Sequence, residues 1–423
     1  MTESFDRRAG WEPEKRPEWL ATFNALGNAM DIKSVVPLDE DSLLSHAMAN
    51  TGLSDFGDDN WRPHFRMLLK LIEEEAKLNF FGRLWTRSDF LTYLEARLQI
   101  VDAYRKHPEI EDEVVKEPIF IVGFGRSGTT ILHEVLSHDP QFRSVQRWEE
   151  LFPAPPPTEE TYKTDPRIAK AQGLVDVIQQ VSPEWKKMHA WGGDIPVEDI
   201  EFTYPAFLSE VWPLGYQIPS WEPYFAAQDV GHHFAWHRKT LKYLQWKYKK
   251  PHWLLKNPTH LPRLPKLLKF YPDAKFIFTH RDPITSGDSV VNVQGVIFYW
   301  RTDDPWSGNT IDEWVLADER AKMWDNVIEW IESGVIKPGS FANFQYSDFM
   351  TDPIPAIAGA YKTLGLPMSD EARKAMHDFL ASRPQGMHGK HNYKRAGEIE
   401  AVQTDERRKY KRYQEYFKVP NEG

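Results

Sequence analysis

The chain reads as an α/β protein. Short apolar runs at 119–122, 252–256, 275–280 and about 340–346 have the length of buried strands. Stretches between them repeat apolar residues at helical spacing. The first run also passes through a glycine-rich turn directly into a helix, the junction that open α/β sheets use to hold ligands at their carboxyl edge.

Composition narrows the function classes. The chain has 423 residues, of which 41% are hydrophobic and 27% charged, as in ordinary globular proteins. A net charge of −10 argues against a general nucleic-acid role, though a local basic pocket for a small anion is compatible with it. The absence of cysteine rules out disulfides, thiolate metal ligands and a cysteine nucleophile. The first twenty residues carry no apolar leader, and no run approaches the roughly 18 apolar residues of a spanning helix. A cytoplasmic protein is expected; an aromatic content of 13% leaves room for peripheral membrane contact.

Residues 1–117 are expected to form a helical extension packed on a main domain at 118–423. Phe65, Leu68, Leu69 and Ile72 share one helix face, as do Leu91, Leu94, Leu98 and Val101. Such an extension serves as a cap, as a wall of a substrate pocket or as a homodimer face. The organising stretch follows at 118–136, PIFIVGFGRSGTTILHEVL. Its strand enters a turn with Gly123, Gly125 and Gly128, and a helix carrying Ile131, Leu132, Val135 and Leu136 leaves it. Backbone N–H groups and the helix dipole make such a turn an anion site. Arg126, Ser127, Thr129 and Thr130 add side-chain donors for phosphate oxygens. Gly123 and Gly128 have the spacing of a nucleotide-binding P-loop, and Thr130 stands at its hydroxyl position, but Thr129 replaces the lysine that triphosphate chemistry needs.

Next, a strand to about Trp148 is expected to carry Glu149 and Glu150 out near the sheet's carboxyl edge, before a proline-rich break at 153–157. Residues 158–250 form an aromatic-rich insertion with helices near 165–181 and 231–249. Its Trp185, Trp191, Trp212, Trp221, Trp236 and Trp246 suit either a helical core or the lining of an apolar acceptor pocket. Lys256 and His260 lie just past the carboxyl end of the 252–256 strand. Arg281 follows the 275–280 strand; Asp282 suits a helix cap and Pro283 its first turn. A helix at 311–333, a strand at about 340–346 and helices at 353–364 and 369–382 complete the scaffold.

These motifs resemble those of sulfotransferases that use 3′-phosphoadenosine 5′-phosphosulfate (PAPS). Gly-Arg-Ser-Gly-Thr-Thr after an apolar strand looks like their 5′-phosphosulfate loop, in the form of a bacterial branch with Arg126 in place of lysine. Arg281 and Ser289, with seven residues between, match the 3′-phosphate motif. Leu-Leu-Lys-x-x-x-His-Leu-Pro resembles the family's Lys-Thr-His-Leu-Pro, with a two-residue insertion. Stretches before the loop and around 343–367 are also similar to the bacterial branch.

The resemblance implies a parallel sheet flanked by helices, of the P-loop nucleotide-kinase-like kind. It implies sulfuryl transfer from PAPS to a hydroxyl, less readily an amine, with release of adenosine 3′,5′-bisphosphate and no required metal. Gly125, Arg126, Ser127, Gly128, Thr129, Thr130, Arg281 and Ser289 would hold the donor. Arg126 and Lys256 would stabilise charge, and His260 or Glu149 would take the acceptor proton. A hydroxylated lipid, steroid or phenol is the expected acceptor, with no nucleic-acid partner. A P-loop kinase and a non-catalytic nucleotide-binding homologue are the alternatives. The family's C-terminal Arg-Lys-Gly closure is absent as written, which leaves Lys390, His391 and Lys394 as candidates for it.

Overall fold

The computed structural model describes Asp6, Arg8 and residues 11–308, 311–383 and 400–422. Lys390, His391 and Lys394 lie outside the described residues. Five strands form one sheet: β1 (Ile119–Gly123), β2 (Phe142–Ser144), β3 (His252–Lys256), β4 (Lys275–His280) and β5 (Phe341–Gln345). Their order is β2-β3-β1-β4-β5, and every pairing is parallel. Ile121 is level with Lys256, and Gly123 with Thr279.

Both faces of this sheet are covered, which is why its strands are apolar at every position rather than at alternate ones. Phe120, Val122, Leu255, Phe276 and Phe278 join the larger core. Ile119, Ile121, Leu254 and Ile277 face a second core, with Leu132, Val135 and Leu136 from the loop helix Thr129–Leu136.

The N-terminal region is helical, as expected, and its longest helix is Phe80–Lys106. This helix lies against Pro283–Arg301: Asn79 N–H donates to Arg301 O at 2.9 Å, and a Cβ on Gly82 would come within 2.2 Å of the same oxygen. The insertion contains Pro166–Val181 and Gly231–Gln245 among shorter turns.

Two expectations are corrected. β2 stops at Ser144, and Glu149 and Glu150 stand in a short helix, Arg147–Leu151. Glu149 Oε2 accepts from Gln146 N at 3.1 Å, so its carboxylate closes the helix start instead of extending a strand. The helix expected at 311–333 is two, Asp312–Val315 and Ala317–Glu332, separated by the extended Leu316. Among the described residues, no helix is long and apolar enough to cross a membrane.

Candidate active site

The strand order turns at β1. The chain goes to one side of it for β2 and β3 and to the other for β4 and β5. The carboxyl ends of β3, β1 and β4 therefore lie side by side, at the place where open parallel sheets leave a crevice.

The glycine loop follows β1. A Cβ on Gly123 would lie 2.1 Å from Thr279 Oγ1 on β4, and one on Gly128 would lie 2.5 Å from the Tyr346 ring. Gly128 also has φ +91°, a backbone region costly for side chains. Ser127 is spent inside: its hydroxyl donates to Phe124 O at 2.6 Å and meets Thr279 Oγ1 at 2.7 Å. Gly125, Arg126, Gly128, Thr129 and Thr130 line the adjoining cavity. Arg126 Nε donates to Ser289 Oγ at 3.0 Å and its Nη1 to Met188 O at 2.8 Å. The structure thus brings Arg126 and Ser289 together across 163 residues.

Arg281 follows β4. Its Nη1 donates to Arg126 O at 3.1 Å, and its plane lies 4.4 Å from the Tyr346 ring centre. Its Nε and Nη2 hold the Glu422 carboxylate at 2.8 and 2.9 Å. Asp282 caps Pro283–Arg301 by accepting from Ile284 N at 2.9 Å, and it also binds Arg407 and the Glu422 N–H.

Lys256 ends β3 with only 2% of its side chain exposed. Its Nζ donates to Thr130 Oγ1 at 3.3 Å and pairs with the Glu198 carboxylate. Burial acts to raise the Glu198 pKa, but the Lys256 ammonium and His189 outweigh it and hold the group well below the usual carboxylate range. His189 Nε2 lies 3.7 Å from Glu198 Oε1.

The two residues expected to take the acceptor proton stand elsewhere. His260 is wholly buried on the turn after β3, against Phe120, with Nε2 at 3.0 Å from Asp199 Oδ2. Glu149 is wholly buried in an ion pair with Arg143 and accepts from Tyr162 OH at 2.8 Å. Neither lines the cavity or touches the glycine loop, whereas Lys256 and Ser289, also outside the lining, are joined to it through Thr130 and Arg126. Sequence reasoning passed over Glu198 and His189, which line the cavity. The stretch Val197–Glu201 has no helical or strand rhythm, and only its mixture of acidic and apolar residues could have flagged it.

The cavity measures about 1,610 Å³. Phe81, Trp85, Trp185, Trp191, Ile297 and Trp300 give it an apolar wall. Leu84, Leu174 and Val177 also line it and are 38–42% exposed. Asp89, Arg147, Glu201 and Arg301 form a polar patch on that wall, tied by Arg301–Asp89 (2.8 Å) and Arg147–Glu201 (3.3 Å). Of the six insertion tryptophans, Trp185 and Trp191 line this space, whereas Trp212, Trp221 and Trp236 fill the core.

Residues 118–370 match the sulfotransferase family. The chain belongs to that family. The match runs from the start of β1, through the glycine loop, Lys256 and Arg281, to beyond β5. The sulfotransferases STF1 of Mycobacterium tuberculosis H37Rv and STF9 of Mycobacterium avium share the fold. The first is 27% identical over 88% of this chain and 98% of its own, with a TM-score of 0.71. The second is 26% identical over 90% of this chain and 97% of its own, with a TM-score of 0.74. The omega-hydroxy-beta-dihydromenaquinone-9 sulfotransferase Stf3 of Mycobacterium bovis and Mycobacterium tuberculosis is 25% identical over 262 residues, 60% of this chain. The matched part spans 64% of that relative's length.

Proposed function

We propose that this sulfotransferase-family chain transfers a sulfuryl group from PAPS to a hydroxyl of an apolar, lipid-like acceptor, releasing adenosine 3′,5′-bisphosphate. The reading is supported by the convergence at the end of β1 of the glycine loop with Arg126, the Arg281 guanidinium and a largely apolar cavity. The loop amides, Arg126 and Thr130 would take the 5′-phosphosulfate, while Arg281 and Ser289 would take the 3′-phosphate. The residues present suit the donor chemically. The loop glycines leave backbone N–H groups at a helix start, and Arg281 Nε and Nη2 already form the two-pronged contact that carboxylate and phosphate share. Lys256 would neutralise the transferring group.

Positioning and charge stabilisation would supply most of the acceleration, as in phosphoryl transfer. Residues 1–117 would act as a wall of the acceptor site, since Phe81, Leu84, Trp85 and Tyr93 line the cavity. The insertion at 158–250 would supply the facing side. The name of the mycobacterial relative, a sulfotransferase of an omega-hydroxylated dihydromenaquinone, points to the same acceptor class. Such an acceptor would be met at a membrane surface by a cytoplasmic enzyme. The test is turnover of labelled PAPS with long-chain hydroxylated lipids, steroids, phenols and hydrophilic sugars. Transfer to the apolar alcohols is expected. Transfer to sugars alone would end the lipid reading, and Mg²⁺–ATP turnover would replace it with a kinase.

A further inference from the structure

We propose that Glu198 is the general base for the acceptor hydroxyl, and that Lys256 switches it on by leaving it for the bound donor. The inference rests on the sulfuryl-transfer reading above. A base must reach the proton it removes, and His260 and Glu149 are buried away from the cavity. Glu198 lines the cavity and lies one ammonium away from the glycine loop, because Lys256 Nζ holds both Glu198 and the first-turn Thr130.

The next residue shows how the carboxylate is aimed. Asp199 is wholly buried, with His237 Nε2 at 2.7 Å and His260 Nε2 at 3.0 Å from its Oδ2, where each N–H donates. Its own N–H donates to Lys256 O at 3.2 Å. Asp199 thus pins the segment to the end of β3 from behind, while Glu198 faces the cavity. His260 acts here as a positioning residue.

Bound to Lys256, Glu198 is a weak base. An anionic donor competes for the ammonium. Once Lys256 turns to it, burial is no longer offset by that partner and the proton affinity of Glu198 rises. The remaining charged or titratable neighbours are His189, Arg147, Glu150 and His133. In the step itself the acceptor oxygen forms a bond to sulfur as its proton passes to Glu198. The bond from sulfur to the 5′-phosphate oxygen breaks, and its electron pair leaves with adenosine 3′,5′-bisphosphate. Lys256 and the loop amides meet the charge on that oxygen.

The test uses adenosine 3′,5′-bisphosphate and the full chain. Calorimetry near neutral pH, in two buffers of different ionisation enthalpy, counts the protons taken up on binding. Wild type should take up more protons than Glu198→Gln, while the variant binds the bisphosphate at least as tightly, which also reports its folding. With an acceptor found in the PAPS screen, Glu198→Gln should lose roughly 10²–10⁴ in kcat and the acidic limb of its pH profile, with Glu198→Asp recovering part of it. Equal proton uptake, or near-normal kcat in a variant that binds the bisphosphate, overturns the proposal, as does finding the whole rate loss in His189→Asn instead. Failure of wild type to bind the bisphosphate sinks the donor reading instead.

Discussion

The guanidinium of Arg281 is half-enclosed by an aromatic ring and a carboxylate. Tyr346 lies against its face, and Glu422 occupies Nε and Nη2. On the proposed reading these are the atoms a 3′-phosphate would use, so Glu422 competes with the donor. The pair is partly exposed, and such pairs contribute about 0.2–1 kcal/mol. Glu422→Gln should therefore tighten adenosine 3′,5′-bisphosphate binding by about 1.4- to fivefold in a titration. Weaker binding would mean instead that Glu422 helps to orient Arg281. At the same scale, the places of Lys256 and Arg281 were legible in the sequence because one ends an apolar run and the other follows one. The contact between Glu198 and Lys256 was not, because the two stand 58 residues apart.

Among the elements, the strands were the easiest to read. β3 and β4 have the expected bounds because both are buried on two faces and leave unbroken apolar runs. β2 is only three residues long, too short for any periodic signal, and the apolar Trp148 that extends its pattern in the sequence belongs to the next helix. The segment carrying Glu198 has no regular structure of its own and is held by isolated backbone bonds, Val197 N–H to Val145 O and Asp199 N–H to Lys256 O, together with the buried Asp199 side chain. Cutting Asp199 to alanine leaves His237 and His260 buried without their shared acceptor. Asp199→Ala should cost roughly 2–6 kcal/mol in urea unfolding, since each buried imidazole N–H left without an acceptor costs about 1–3 kcal/mol. A loss under about 1 kcal/mol, smaller than a typical single hydrogen bond, would show that the segment is anchored by other means.

In the whole molecule, buried titratable groups set the response to acid. Burial, and secondarily Lys256, pushes His133 down to about 3; burial pushes His280 down to about 4. Both are neutral in the folded chain, whereas an unfolded histidine titrates near 6.5. Their folded values lie below the unfolded one, so the unfolded chain binds more protons in between. Their contribution is complete above about pH 6.5 and is lost as pH falls, by about 2 kcal/mol each at pH 5. Glu198 and Asp199, both held low by neighbours in spite of burial, add the same trend below about pH 4. Glu184, pushed up to about 7 chiefly by burial, works in the opposite direction, so the direct check is an NMR titration of the imidazoles: His133 and His280 should stay neutral between pH 6.5 and 5, and a midpoint near 6.5 would contradict the buried neutral state.

The donor site is tested most directly by calorimetric binding of adenosine 3′,5′-bisphosphate, beside Mg²⁺–ATP, to wild type and Arg281→Ala. Binding of the bisphosphate without metal is predicted for wild type, with its loss in the variant. Preference for Mg²⁺–ATP, or indifference to Arg281, would contradict the PAPS reading and return the glycine loop to kinase-like or purely structural duty.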